Sequence, residues 1–298
     1  MYSVNRLRLL REVSIRGTLA AAAQALGYNP SSVSHQLRLL EDEAGVRLLE
    51  PVGRKVRLTQ EAHILVRHTE GILQHLESAE AEISLTQQVV RGTVRVASFQ
   101  TANHTLIPPA LTSLKAEHPN LQVCVAHISA ELAVPALLAR DFDIVLQEEY
   151  PAHPRPAVEG AEITTIGMDP LLLLTPADER SARLEDLTDR HWVMEPQGTQ
   201  ARSWAEAQCR GAGFEPRIAY ESSDVLLHVR LVAAGLAVGL VPGLALAASD
   251  ARSVRAHPLQ NEPARRIVTA VRRGGGHAPA IAAVRQQVSR TAVQQITG

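Results

Sequence analysis

Four polar side chains near the N-terminus have the types and the spacing to contact DNA. On a helix that begins at Pro30 they would share one outward face: Ser31, Ser34, His35 and Arg38. A guanidinium can donate two hydrogen bonds to guanine, and hydroxyl or imidazole groups can bind base edges or phosphates. The opposite face is apolar at helical spacing: Val33, Leu37, Leu40 and Ala44. The segment therefore predicts either a DNA-reading helix packed on a core or an ordinary helical hairpin with a solvated face.

The residues before this helix predict a second helix and a tight turn. Thr18 can N-cap a helix built on the alanines of 20–23, and Gly27 can end that helix in the left-handed conformation. Asn29 then stands at the N-cap position of the following helix, with Pro30 at its first residue, where a missing N–H costs nothing. Two short helices joined in this way are typical of a helix-turn-helix, whose second helix enters the major groove.

The flanking residues extend this unit. Residues 4–16 predict a preceding amphipathic helix, and residues 46–59 predict two strands around a turn at Gly53, Arg54 and Lys55. Arg54 and Lys55 at that tip are expected to contact phosphates. Residues 1–60 contain nine basic and five acidic residues, whereas the whole chain contains 30 and 31. A basic end on a nearly neutral chain is the charge pattern of a DNA-binding module.

Residues 60–90 predict one long helix with a single apolar seam. The seam recurs at spacings of four and three residues over nearly three heptads: Leu65, Thr69, Ile72, Leu76, Ala79 and Ile83. A helix of this length cannot bury the seam alone, so it either pairs with a second copy or packs on a later part of its own chain. We favour pairing, because two recognition helices about 34 Å apart can read successive major grooves. The candidate dimerisation residues are Leu65, Ile72, Leu76 and Ile83.

These segments resemble the LysR-type transcriptional regulators. The agreement is close over residues 21–26 (AAAQAL) and 56–59 (VRLT), and at six positions of the helix between them: Val33, Ser34, Gln36, Leu37, Leu40 and Glu41. The resemblance implies a winged helix-turn-helix over 1–59, a dimerising linker helix over 60–90 and an effector-binding domain over 93–298. The implied partners are double-stranded DNA, a small-molecule effector and further copies in a dimer or tetramer, with RNA polymerase as another candidate. The family commonly has Arg where this chain has His35, so we expect either a different base or phosphate contact there or a mild dependence of DNA binding on pH.

Residues 93–298 predict an α/β domain, because short apolar runs alternate with helical patterns. This alternation favours a parallel sheet. The expected strands lie at 94–97, 121–128, 142–146, 162–175, 191–194, 216–221, 236–241 and 266–271. The expected helices lie at 105–117, 131–139, 200–212, 223–234 and 278–295. The resemblance implies two lobes like those of periplasmic binding proteins, lobe I over about 93–161 and 266–298 and lobe II over about 162–265.

Polar residues follow several of these strands, where ligands bind in open α/β folds. By the resemblance, effector contacts come from such strand ends, and the candidates are Ser98, Gln100, Thr101, Gln147, Thr199 and Ser223. Each could equally be a helix cap or a turn residue. Hydroxyls and N–H groups at helix N-termini favour anions, so a small organic anion or polar metabolite is the expected effector.

Other classes of function find little support in the sequence. The two cysteines lack metal or redox spacing and are expected to be buried thiols, and the 12 histidines form no ligand-like cluster. We therefore expect no cofactor, no metal and no catalytic residue. The chain shows no leader and no apolar run of 18 residues, so we expect a cytoplasmic protein without a membrane span. The competing hypothesis is an α/β protein that binds or transforms a small molecule and uses its N-terminal helices to dimerise.

Overall fold

The computed structural model describes residues 1–52, 55–86, 90–154, 158–179, 183–249 and 253–297. Its contacts divide the chain into two units, residues 1–86 and 87–298, and each is described by itself.

The first unit has the helix-turn-helix and the hairpin that the sequence predicts. Its elements in order are α1 Val4–Arg16, α2 Leu19–Leu26, α3 Pro30–Ala44, β1 Leu49–Val52, β2 Lys55–Leu58 and α4 Gln60–Thr86. The strands β1 and β2 pair antiparallel, with Leu49 opposite Leu58. The predicted turn falls on Gly53 and Arg54, which lie outside the described residues, while Lys55 already belongs to β2.

Local capping explains where α2 and α3 begin and end. The Thr18 hydroxyl accepts a hydrogen bond from the Ala21 N–H at 3.1 Å, which confirms it as the N-cap of α2. Gly27 ends α2 with a φ of 69°, a backbone conformation that favours glycine. Asn29 has the extended backbone of an N-cap residue, but within the described part of the chain its side chain accepts no capping hydrogen bond. Pro30 at the first position removes one of the N–H groups that would need a cap.

The apolar face of α3 closes the core of this unit. Val33, Leu37 and Leu40 are buried as predicted, whereas Ala44 at the C-terminal end is half-buried. The residues that pack around them come from every other helix and both strands: Leu7, Leu10, Val13, Ala22, Ala23, Leu48, Leu49, Val56, Leu58 and Ala62. The outward face of α3 is therefore fixed by burial of the inward face.

A buried charge cluster ties α1 to α4. The Arg11 side chain is 1% exposed and lies 3.1 Å from the Glu12 carboxylate and 2.5 Å from that of Glu70 on α4. Glu12 is also buried and pairs with Arg16 at 3.3 Å. A buried guanidinium is tolerated only when its charge is balanced at close range, so this cluster fixes the packing of α4 against α1.

The second unit alternates strands and helices. Its first half contains β3 Gly92–Ser98, α5 Gln100–Thr105, α6 Ile107–Glu117, β4 Leu121–His127, α7 Ala130–Leu138, β5 Ile144–Glu149 and β6 Ala161–Pro176. Its second half contains β7 His191–Met194, α8 Gln200–Gly211, β8 Arg217–Glu221, α9 Val225–Ala233, β9 Gly239–Pro242, α10 Gly243–Ala247, β10 Val254–Pro258, β11 Ala264–Arg272 and α11 Pro279–Thr297. The sequence patterns did not indicate α10 and β10.

The helix predicted over 105–117 is two helices. The first, α5, begins at Gln100 and ends at Thr105, and α6 begins at Ile107. Pro108 and Pro109 stand in the first turn of α6. They lack the N–H groups that would continue α5, so the chain starts a new helix there.

The main sheet is mixed, which corrects the expectation of a parallel sheet. Its strand order is β10-β6-β11-β5-β3-β4, and β9 also pairs with β6. The strand β3 runs parallel to β4 and β5, as predicted. The strand β11 runs antiparallel to β5 and β6, because it returns between them from the far end of the domain.

The long strand β6 serves both lobes. Residues 161–170 pair with β11 in the sheet of lobe I, and residues 171–176 pair with β9 and β10 in lobe II. The lobe boundary expected at 161/162 therefore falls within one strand, about nine residues later. The chain crosses between the lobes at Pro170 on β6 and at Ala264 on β11, which are paired.

We expect Arg11→Ala to destabilise the first unit by about 3–5 kcal/mol, because it leaves Glu12 buried with less compensating charge. Urea unfolding followed by far-ultraviolet circular dichroism measures this loss. Arg8→Ala, an exposed arginine on the same helix, is the matched control and should change stability by less than about 0.5 kcal/mol. Equal effects of the two substitutions would contradict the assignment of the cluster as a structural tie.

Candidate functional site

The outer face of α3 presents the four residues that the sequence singled out. Ser31, His35 and Arg38 are exposed and Ser34 is half-buried. For the two candidates in the hairpin, Arg54 and the side chain of Lys55 lie outside the described residues. The structure therefore brings the helical candidates together on one accessible surface, with the hairpin strands following directly after the helix.

Hydrogen bonds hold α3 in place behind this face. Oε1 of Glu41 accepts hydrogen bonds from the N–H groups of Leu48 and Leu49 at 2.7 and 3.1 Å, which ties the end of α3 to β1. From α1, Nε of Arg6 donates to Oε1 of Gln36 at 3.0 Å, and Arg6 also pairs with Glu43. These contacts restrain the helix without using its outward residues.

Tyr28, in the turn before α3, is a residue that the sequence patterns did not select. It is 43% exposed, and its N–H donates to the Ala23 carbonyl at 2.9 Å. An exposed aromatic hydroxyl beside a recognition helix can bind a phosphate. The sequence signal that could have identified Tyr28 is its position in the tight turn between α2 and α3.

The seam predicted on α4 divides into two parts. Leu65 is half-buried against the core of the first unit, and Thr69 is buried with its hydroxyl donating to the Leu65 carbonyl at 2.7 Å. Further along, Ile72, Leu76 and Ile83 are 38%, 45% and 61% exposed. The first part of the seam packs within its own unit, and the second part is an exposed apolar stripe.

The N-termini of four helices line a cleft between the two lobes of the second unit. Its cavity volume is about 140 Å³. Four of the six predicted effector residues line it: Gln100, Thr101, Thr199 and Ser223. They lie at the N-termini of α5, α8 and α9, and Ala130 at the start of α7 also lines the cleft.

The remaining two candidates lie elsewhere. Ser98 is fully buried, and its hydroxyl has no hydrogen-bond partner among the described residues. Gln147 is buried, and its Nε2 donates to the Ala130 carbonyl at 2.9 Å, which ties β5 to the start of α7. Neither lines the cleft; the next residue along β5, Glu148, does. Successive side chains of a strand point to opposite faces, so an error of one residue selects the wrong face.

Gln100 bridges the two lobes. Its Nε2 donates to Oδ1 of Asp224 at 2.6 Å, and its Oε1 accepts from the Val225 N–H at 2.9 Å. Burial acts to raise the pKa of Asp224, but hydrogen bonds from Gln100 and from the N–H groups of Leu227 and Leu226 prevail, and its pKa lies below the ordinary value. Thr199 has a capping role as well, because its hydroxyl accepts from the Arg202 N–H at 3.1 Å.

Arg265 lies buried at the crossing of β6 and β11. Its Nε and Nη2 lie 2.9 and 2.8 Å from Oδ2 of Asp169, and its Nη1 donates to Glu148. Its Nη2 also donates to the Thr101 hydroxyl at 2.6 Å, and the guanidinium stacks over Phe99 at 5.3 Å. Burial alone would lower the pKa of Arg265, but the Glu148 and Asp169 carboxylates raise it above its ordinary value, so the side chain stays charged.

Carboxylates surround the cleft on both sides. Glu131 and Glu148 line it from lobe I, and Glu195, which follows β7, lines it from lobe II. Burial, and then the negative charge of Glu148, raises the pKa of Glu195 to about 7, although Arg265 and a hydrogen bond with Thr199 act in the opposite direction. Sequence reasoning missed these residues and Arg265, because no local spacing connects residues so far apart in the chain.

The cysteines do not form a reactive pair. Cys209 is buried, and burial raises the pKa of its thiol to about 12. Cys124 is exposed, contrary to expectation, because β4 is the edge strand of the sheet. Within the described ranges there is no group of three potential metal ligands. Within the same ranges, every helix is too short or too polar to cross a membrane.

Two family models match the chain. The model described as "Bacterial regulatory helix-turn-helix protein, lysR family" matches residues 4–63, and the model described as "LysR substrate binding domain" matches residues 87–292. Together they cover the helix-turn-helix and the domain that contains the cleft up to residue 292, within α11.

Individual proteins agree with these matches. The transcriptional dual regulator GltC of Bacillus subtilis is 27% identical over 267 residues, 89% of each chain. A full-length OxyR variant from Pseudomonas aeruginosa has a similar fold, with a TM-score of 0.73 at 18% identity, covering 97% of this chain and 95% of that one. CbnR, a LysR family transcriptional regulator, is 25% identical with a TM-score of 0.52, covering 96% of this chain and all of that one.

We expect Glu195→Gln to stabilise the second unit above pH 7. In the native protein this carboxyl keeps a proton up to about pH 7, whereas the unfolded chain loses it near pH 4.5. The native state therefore binds more protons in this window, and the contribution of Glu195 to stability falls as the pH rises. A glutamine cannot ionise, so the advantage of the variant should grow from pH 5 to pH 8 and reach at most about 3 kcal/mol.

Urea unfolding monitored by tryptophan fluorescence measures this difference, because Trp192 and Trp204 both lie in the core of lobe II. Glu215→Gln, at an exposed position of the same lobe, is the control and should show no such pH dependence. A constant difference between Glu195→Gln and the parent across the range would contradict the assigned pKa.

Proposed function

Since the chain belongs to the LysR family of transcriptional regulators, we propose that it binds DNA through the outer face of α3 and that a small molecule in the cleft modulates this binding. The matching families and relatives are regulators and not enzymes. LysR regulators bind DNA and small-molecule effectors and form oligomers. The observation that carries the proposal is that α3 exposes its polar face to solvent while Val33, Leu37 and Leu40 on its apolar face are buried in the core.

In this proposal each part of the chain has a separate task. Residues 1–59 bind DNA, with Ser31, Ser34, His35 and Arg38 in the major groove and Arg54 and Lys55 on phosphates. Residues 60–90 link and dimerise, and residues 93–298 bind the effector. A regulator of this kind acts on the chromosome, so we place it in the cytoplasm, where contact with RNA polymerase would couple binding to transcription.

We propose that two copies pair through the exposed stripe of Ile72, Leu76 and Ile83. These side chains are accessible in the single chain, and heptad spacing aligns them with the same residues of a second helix. Paired copies present two copies of α3 to successive major grooves. Pairing of dimers would give a tetramer.

The effector acts by its different affinity for two arrangements of the oligomer. A ligand that binds both arrangements equally changes neither. In this proposal the difference arises at the Gln100 bridge between the lobes, because its hydrogen bonds to Asp224 and Val225 require the lobes to be close.

A gel-shift titration with the DNA upstream of the gene, against random DNA at two salt concentrations, tests the proposed function. Retention of the upstream DNA that survives the higher salt is expected, because base contacts add to phosphate contacts. Binding that is equal on both DNAs and lost with salt would contradict sequence-specific regulation.

We expect Arg38→Ala to weaken binding to the specific site by about 1–3 kcal/mol if the guanidinium reads a base. Binding to random DNA should change much less. The gel shift measures both, and Arg217→Ala, which removes an exposed arginine from the second unit, should leave both unchanged. Equal losses on specific and random DNA would make Arg38 a phosphate contact.

We expect Leu76→Asp to dissociate the dimer, since pairing would bury the introduced carboxylate against its own copy. Light scattering after size-exclusion chromatography gives the mass, and circular dichroism shows whether the variant is folded. Leu236→Asp is the control at an exposed leucine of the second unit. A folded Leu76→Asp variant that remains dimeric would contradict pairing through this stripe.

A further inference from the structure

Negative charge exceeds positive charge around the cleft. Glu131, Glu148 and Glu195 line it, and Arg265 is the sole arginine or lysine among the described residues that do. Arg265 is already bound to Asp169 and Glu148. Apart from Arg265, the described lining has one side chain that can become positive, the exposed imidazole of His127, whereas Glu131 and Glu195 remain as carboxylates that Arg265 does not bind.

The helix N-termini around the cleft do not reverse this balance. A helix N-terminus carries about half a positive charge, concentrated on N–H groups without partners. At α8 the Thr199 hydroxyl accepts from the Arg202 N–H, and at α9 Asp224 and Gln100 accept from the N–H groups of Leu226 and Val225. At α7 the first turn carries Glu131, whose carboxylate offsets the helix dipole. The remaining helix, α5, has only six residues.

The neutral groups of the lining also indicate a hydrogen-bond donor with an apolar body. The buried Oε1 of Gln200 accepts no hydrogen bond from the described residues, so it can accept one from a ligand. Phe99, Ile128, Tyr150 and Val225 supply apolar surface. The volume of about 140 Å³ is close to that of an engineered cavity of about 150 Å³ that binds benzene.

We propose that the effector of this cleft is a small organic cation, an ammonium or amidinium group on an apolar body of about six to eight non-hydrogen atoms, held between Glu195 of lobe II and Glu131 and Glu148 of lobe I. This inference rests on the proposed function, because it names the ligand class of the same cleft. It replaces the organic anion that the polar strand ends suggested in the sequence.

Binding of a cation here is coupled to the protonation of Glu195. The titratable groups around that carboxyl and its cleft come from several elements: His127, Glu131, Glu148, Tyr150, His228 and Arg265. A cation next to Glu195 lowers its pKa below the value of about 7 in the free protein, so binding releases a proton. The affinity for a cation therefore rises with pH up to about 7, whereas an anion would bind better as the pH falls.

Matched pairs of opposite charge test the proposal on the full-length protein. The probes are benzylammonium against benzoate and butylammonium against butyrate, each measured by the shift in thermal unfolding and by calorimetric titration at pH 6 and pH 8. We expect the ammonium of each pair to bind more tightly at pH 8 and to release a proton at pH 6. Calorimetry in two buffers of different ionisation enthalpy detects that proton.

Substitutions locate the binding. Glu195→Gln should weaken ammonium binding about tenfold and abolish the proton release, because one charge-assisted hydrogen bond and the titrating group are lost. Glu131→Gln, at an exposed position, should weaken binding and keep the release. Glu215→Gln, on the same lobe away from the cleft, should leave both unchanged. Carboxylate probes that bind as well as the ammonium probes, ammonium affinity that rises at lower pH, or no binding of either charge would overturn the proposal.

A gel shift of the same preparations separates this inference from the proposed function. Specific DNA binding with no ammonium binding would overturn the cation and leave the regulator. Ammonium binding in the cleft without specific DNA binding would overturn the regulatory role and leave the ligand class.

Discussion

The buried ion pair of Arg265 and Asp169 is the interaction on which the second unit depends. Both side chains are about 1% exposed, and they lie where β6 and β11 pass together from one lobe to the other. A guanidinium withdrawn from water is stable only if its charge and its N–H groups are satisfied at once. Asp169 supplies the charge, and Glu148 and Thr101 accept further hydrogen bonds. Oδ1 of Asp169 also accepts from the Leu244 N–H at 3.1 Å, which fixes the start of α10. The crossing strands, the lobe I wall of the cleft and α10 thus share one charged centre.

This centre determines the chemistry left to the cleft. Because Arg265 is already paired with Asp169 and Glu148, its charge is not available to an anionic ligand, and His127 is the other side chain of the described lining that can carry a positive charge. Glu131 and Glu195, the carboxylates that Arg265 does not bind, line the cleft from different lobes. Burial, and then the negative charges of Glu148 and Glu131, raise the pKa of Glu195 to about 7. The pairing of Arg265 at the strand crossing therefore favours a ligand of positive charge in the cleft.

The sequence predicted the first unit far better than the cleft, because its signals are local. Thr18, Gly27 and Pro30 mark helix ends within a few residues, and the stripe of Val33, Leu37 and Leu40 gives the buried face directly. In the second unit the order of strands and helices could be read, but the direction of β11 and the shared role of β6 depend on pairing between distant residues. Asp169 and Arg265 are 96 residues apart, and no spacing rule connects them. The sequence selected Gln147 where the cleft is lined by its neighbour Glu148. Element ends cannot be predicted to one residue, and successive side chains of a strand point to opposite faces.

The Gln100 bridge and the carboxylates act in opposite directions on the two lobes. The bridge joins α5 to the start of α9 through hydrogen bonds of 2.6 and 2.9 Å, and it favours closed lobes. The negative charges of Glu131 and Glu148 against Glu195 favour separation once Glu195 ionises. A cation between them removes the repulsion, so it binds the closed arrangement more tightly than the open one. That difference in affinity is the quantity that allostery requires. The difference in affinity arises here from side chains whose positions are set by burial and by the strand crossing, so it requires no conformational change within the cleft other than the movement of the lobes.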